Sequence, residues 1–165
     1  MTTSAHPADL EVDAVISYLF DLGAVVVSVG HGRDPRSVDL ARRFPERWDG
    51  LGRIDEREAF ARGIDTVVDW PSAAASWLRP ALRLTTGAAD AWVIADTAVS
   101  FAPMSRRLRQ STPWDPMRTV CFSDLGDPRL TELAGGDVVG GLRGIRSDGT
   151  RWQIPDAPTK SRTTP

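Results

Sequence analysis

The chain has 165 residues, 41% of them hydrophobic, with 14 glycines, which fits one globular domain and excludes wholesale disorder. Its net charge of −2 supplies no broad electrostatic footprint for nucleic acid, and no apolar run reaches the roughly 18–20 residues of a membrane span. A single cysteine, Cys121, excludes an intramolecular disulfide framework, and two histidines leave little for a His-rich metal site.

Residues 1–7 are small and polar, and 155–165 are rich in proline and threonine, so both ends read as disordered tails around one α/β domain over 8–154. Residues 1–10 lack the positive-then-apolar layout of a signal peptide, which sets the expectation of a cytoplasmic location. Leu10, Ala14, Val15, Leu19 and Leu22 recur at helical spacing, and Gly23 supplies a stop. Ala24–Val29 follows as a β-branched run, the pattern of a strand buried on both faces, and Gly30-His31-Gly32 breaks it. Asp34-Pro35 then opens a helix whose stripe is Leu40, Ala41 and Phe44, with Pro45 as its expected end.

The middle is less sharply patterned. Asp55–Glu58 resembles a capping box for a short helix reaching Arg62, and Asp65–Trp70 fits a strand or an extended linker. Pro71 is expected to open a helix carrying Trp77, Leu78 and Ala81, with Pro80 kinking or ending it. Beyond it, Ala91–Ala95 reads as a strand running into Asp96-Thr97. Phe101, Met104 and Leu108 mark a helix with arginines on its other face, and Thr119–Phe122 is a strand ending in Ser123-Asp124. Asp127-Pro128 repeats the cap before Leu130, Leu133 and Ala134, which Gly135-Gly136 stop. Val138–Ile145 and Trp152–Ile154 flank a hairpin turn at Ser147-Asp148-Gly149.

Strand and helix alternating at this spacing predict a three-layer α/β domain: a mostly parallel sheet with helices on both faces and a C-terminal hairpin. Such sheets bind ligands outside the C-terminal edge of their strands. The residues expected on that rim are His31, Asp69, Asp96, Thr97, Ser123 and Asp124, acceptors and hydroxyls suited to a small polar ligand. The same residue types also serve as helix caps and turn formers, and the two roles stay open at this point. Cys121 reads as a buried structural thiol. The six tryptophans read as core or interface, with Trp70 and Trp114, beside prolines, as the surface candidates for a protein partner or a sugar ring.

Two resemblances follow from particular residues. Val29-Gly-His-Gly-Arg-Asp-Pro-Arg36 resembles the opening signature of the small cobalt and iron chelatases of tetrapyrrole synthesis, where the histidine binds the metal. No histidine follows His31, so the second one of that family has no counterpart and its catalysis is not carried over. Asp90–Thr97, a helix, Arg118–Asp124 and Asp127–Leu130 are together similar in layout to one lobe of the type I periplasmic-binding-protein superfamily, which includes the effector domains of lactose-repressor-type regulators. Leu22–Val27 with Asp34-Pro35 resembles the strand and helix that open such a lobe.

That resemblance implies a non-catalytic ligand-binding or regulatory domain with ligand contacts near Asp96, Ser123 and Asp124. It names no cofactor. A lone lobe binds weakly unless it dimerises or meets a partner, which leaves a homodimer or a protein partner open; nucleic acid and membrane are not expected. The alternatives are a metal-assisted hydrolase or lyase using His31 with the strand-end aspartates, and a protein-interaction module built on exposed tryptophans.

Overall fold

A computed structural model of the protein describes residues 5–51 and 62–157. Helix α1 (Pro7–Asp21) leads into strand β1 (Val26–His31), α2 (Pro35–Leu51), β2 (Gly63–Asp69), α3 (Leu78–Thr85), β3 (Ala91–Ala95) and α4 (Ala98–Ser111). The chain continues through β4 (Thr119–Cys121), α5 (Arg129–Ala134), α6 (Gly136–Val139), β5 (Arg143–Ile145) and β6 (Arg151–Gln153). The six strands form one sheet in the order β2-β1-β3-β4-β5-β6, and only the β5–β6 hairpin pairs antiparallel. This is the predicted doubly wound sheet, and its chain order reverses direction between β1 and β3.

The core has two halves, one on each face of the sheet. On one face α1 and α2 bury Val15, Leu19, Leu40, Phe44 and Trp48 against Val27, Val29, Val93 and Val120. On the other, α3 to α6 bury Leu84, Phe101, Met104, Leu108 and Leu130 against Val68, Ile94 and Cys121. Alternate residues of β3 serve the two halves, Val93 one and Ile94 the other, as a strand covered on both sides requires. Against β1, strand β2 carries one extra residue: Val27 pairs with Ile64, whereas Val29 pairs with Val67. This bulge lets Asp65 accept a hydrogen bond from the buried Ser28 hydroxyl at 3.3 Å.

Several local expectations are corrected. Helix α1 starts at Pro7, capped by the His6 side chain accepting from the Ala8 N–H, inside the stretch expected to be a loose tail. Residues 1–4, the capping-box segment at Asp55–Glu58 and the tail from 158 onward lie outside the described residues. Gly30 and His31 are the last residues of β1 and do not break it. Pro45 lies inside α2 and does not end it, because Phe44 and Trp48, one turn apart and both fully buried, hold the helix onto the sheet across the lost hydrogen bond.

Helix α3 begins at Leu78 rather than Pro71, so Pro80 sits in its first turn, where its missing N–H has no intrahelical acceptor to lose. Gly136–Val139 is a short helix, which shortens the expected strand to Arg143–Ile145. Trp70 and Trp114 are 0% and 2% exposed, so the two surface candidates belong to the core. Cys121 is buried, as expected, and burial pushes its thiol pKa up.

Trp48 tests the first half of the core. Its ring stacks on Phe44 with centroids 5.8 Å apart, and its indole N–H donates to the Gly63 carbonyl at 3.2 Å. Trp48→Ala is expected to cost about 3–5 kcal/mol of unfolding free energy in urea titration, whereas an unaltered midpoint would mean that α2 is not held through this residue.

Candidate ligand site

The parallel register gathers the predicted residues on one rim. His31 pairs with Asp69 on one side and Ala95 on the other, and Ile94 pairs with Cys121, so Asp96 and Ser123-Asp124 leave the sheet at the same end. Along that rim each residue has a local partner. The His31 ring Nδ1 lies 2.7 Å from the Gly32 carbonyl oxygen. Arg33 Nε donates to Asp69 at 2.6 Å and holds that carboxyl below the usual carboxylate range. Thr97 caps α4 by accepting from the Ser100 N–H at 3.4 Å. Arg36 donates to Asp124 through Nε and to Ser123 through Nη2, both at 3.0 Å.

Asp96 is the exception in depth, being only 2% exposed. Its Oδ2 accepts from the Trp70 indole N–H at 2.7 Å, and its Oδ1 accepts from the Thr97 backbone N–H at 2.8 Å. Burial raises its pKa to about 6. The Trp70 and Thr97 donors oppose that rise, and the nearby Asp34 charge adds to it. The Ser100 hydroxyl is close enough to favour the ionised form slightly, yet it meets no partner at hydrogen-bond geometry among the described residues.

Both glycines of the Gly30-His31-Gly32 motif are explained by this pair. A Cβ on Gly30 would stand 2.6 Å from the Trp70 ring, and one on Gly32 would clash with the Asp96 carboxylate. The motif clears room for an indole and a carboxylate that are remote in sequence. Among the described residues no three of His, Cys, Asp and Glu are grouped to hold a metal ion.

Two concavities lie along the rim. The first, about 300 Å³, sits where the strand order reverses and is lined by Arg33, Asp34, Ser72, Thr97 and Ser100. The second is an open cleft of about 570 Å³ whose polar wall is Glu11, Arg36, Ser123, Asp124 and Arg146. Of the predicted residues, then, Thr97 faces the first, Ser123 and Asp124 face the second, and His31, Asp69 and Asp96 line neither. Asp96 supports the first from behind its wall.

Sequence reasoning missed Ser72, Ser100, Glu11 and Arg36, and it singled out Trp70 for the surface rather than for the support beneath the rim. Only Glu11 carried a readable signal: it stands three residues after Ala8 and four before Val15, on the buried stripe of α1. It is 3% exposed, accepting from Arg36 at 2.5 Å and from the Ser123 hydroxyl at 2.9 Å.

The sheet and its covering helices are folded like part of several solved binding proteins, a likeness of fold that agrees with the resemblance read from the strand ends. No family model matches the sequence, and no curated protein matches it. Solved structures do. A substrate-binding periplasmic protein from Ralstonia solanacearum is 20% identical with a TM-score of 0.64, over 81% of this chain and 35% of that one. A leucine-binding protein from Thermotoga maritima is 22% identical with a TM-score of 0.63, over 84% and 36%. An extracellular ligand-binding receptor from Verminephrobacter eiseniae is 12% identical with a TM-score of 0.65, over 87% and 40%. The chain thus spans well under half the length of each, and at these identities the likeness is one of fold.

Two expectations test the socket. Gly32→Ala should lower stability measurably in thermal melts, because the added methyl displaces a carboxylate fixed by two donors; an unchanged midpoint would mean that Asp96 is not held there. Asp96 ionises more readily in the unfolded chain than in the fold. Folding stability should therefore fall as pH rises from 3.8 to about 6, by at most about 3 kcal/mol, and level off above that. Asp96→Asn should remove this slope in urea titrations across the pH range, and a slope retained in the variant would assign it to another group.

Proposed function

We propose that the chain is a non-catalytic binding lobe that takes a small polar ligand in the crevice between the ends of β1 and β3. The observation that carries this reading is the crevice at the reversal of strand order, the place where such sheets bind ligands, with Ser100 in its lining. Around it the crevice offers the Ser72 and Thr97 hydroxyls, the N-terminus of α4 and charges of both signs on Arg33 and Asp34. A zwitterionic molecule such as an amino acid fits that mixture, and leucine is the ligand named for one structure of similar fold. Asp96 acts in this reading as a positioning residue beneath the wall.

The metal-assisted alternative gains nothing from the rim, since His31 and the strand-end aspartates each turn to separate partners. The interaction module built on Trp70 and Trp114 loses its surface, because both rings are in the core. The expected cytoplasmic location draws no support from similar structures of which one is named a periplasmic protein and another an extracellular receptor.

Thermal melts with each common amino acid in turn test the reading. At least one should raise the midpoint of the wild type, and Ser100→Ala should abolish that rise while leaving the unliganded midpoint equal or higher. Thr97→Ala lowers the unliganded midpoint in any case, since losing a cap costs about 1 kcal/mol. A ligand-induced rise that survives Ser100→Ala but disappears in Arg36→Ala would move the site to the wider cleft and overturn the assignment.

A further inference from the structure

Helices on opposite faces of the sheet carry opposite charge. Helix α1 carries Asp9, Glu11, Asp13 and Asp21 and no basic residue, and all four carboxylates are ion-paired: with Arg43, Arg36, Arg47 and Arg151. Across the sheet the pattern is inverted. Residues 70–89 and 97–114 contain no acidic residue at all, yet α3 carries Arg79 and Arg83, and α4 carries Arg106, Arg107 and Arg109.

The two helices pack side by side, and none of the five guanidinium groups meets a carboxylate among the described residues. Among the described residues Arg106 reaches the Leu133 carbonyl and Arg107 the Ser111 hydroxyl. Between these charges Leu78, Leu82 and Val99 stand exposed, at 38%, 43% and 58%.

We propose that the outer face of α3 and α4 is a docking surface for an acidic, amphipathic segment of another protein. Arginine beside exposed aliphatic side chains is the makeup of a protein interface, in which the guanidinium forks clasp carboxylates and the leucines seat an apolar anchor. A phosphate backbone would use the arginines and leave the leucines idle. A lipid surface needs a continuous apolar stripe, whereas α3 has eight residues and an arginine next to each of its exposed leucines. A second copy of this chain would have to present its acidic α1, whose carboxylates are all engaged within their own molecule. None of the residues substituted in its test lines the crevice, so that test leaves the ligand reading untouched.

The experiment titrates the intact protein into a fluorescein-labelled synthetic peptide with glutamates and leucines at helical spacing, at low salt, and reads anisotropy. The wild type should bind, with affinity falling as salt rises. Arg79→Glu with Arg83→Glu should weaken binding by about tenfold or more, and Arg109→Glu alone should weaken it measurably, while thermal midpoints stay near the wild type because these three side chains are exposed. Replacing the peptide's glutamates by glutamine should abolish binding. Three outcomes would overturn the proposal: no binding at low salt, equal affinity in the charge-reversed variants, or tighter binding to a DNA duplex or to phosphatidylserine vesicles than to the peptide.

Discussion

The hydrogen bond from the Trp70 indole to the Asp96 carboxylate is the constraint around which the rim of this sheet is arranged. It joins the end of β2 to the end of β3 across β1, and β1 yields by having glycine on both sides of His31. Removing water from a carboxylate is costly, and here two fixed donors offset part of that cost. The offset is incomplete, and so the group titrates near neutrality. With that pair in place, Thr97 begins α4 at a fixed point and Ser100 faces the crevice one turn later.

A comparable economy holds the other end of the rim. Glu11, buried at the start of α1, engages Arg36 of α2 and Ser123 beyond β4, so one carboxylate ties three segments separated by up to 112 positions. Buried ion pairs of this kind are better credited with fixing geometry than with adding stability, because their desolvation offsets much of their attraction. The rim is therefore tied at both ends, the first concavity by a pair behind its wall and the second by groups that form its wall.

Much of this was legible in advance, and the line between what was and was not is physical. Strands β1, β3 and β4 announce themselves as short apolar runs because both their faces are covered, and the acids that follow mark one edge of the sheet. Proline misled three times, at Pro45, Pro71 and Pro80, since its local preference yields to the burial of neighbours such as Phe44 and Trp48, or to its place in a first turn. The Trp70–Asp96 pair could not be read, because a tryptophan beside a proline looks like a loop residue until the partner of its N–H is known. The glycines of Gly30-His31-Gly32 were visible, but their reason is the shape of side chains 26 to 64 positions downstream of them or of each other, and no local motif encodes that.

The extra residue in β2 reaches further than the strand that contains it. Side chains along a strand alternate, so the face on which Trp70 emerges depends on how many residues separate it from Ile64, where the pairing with β1 is still regular. A ladder kept uniform from Ile64 at unchanged chain length would put Trp70, six residues on, on the same face as Ile64, out of reach of its carboxylate. The irregularity and the length of β2 are thus specified together, and a homologue without the bulge would keep the strand-end pair only with a strand one residue shorter.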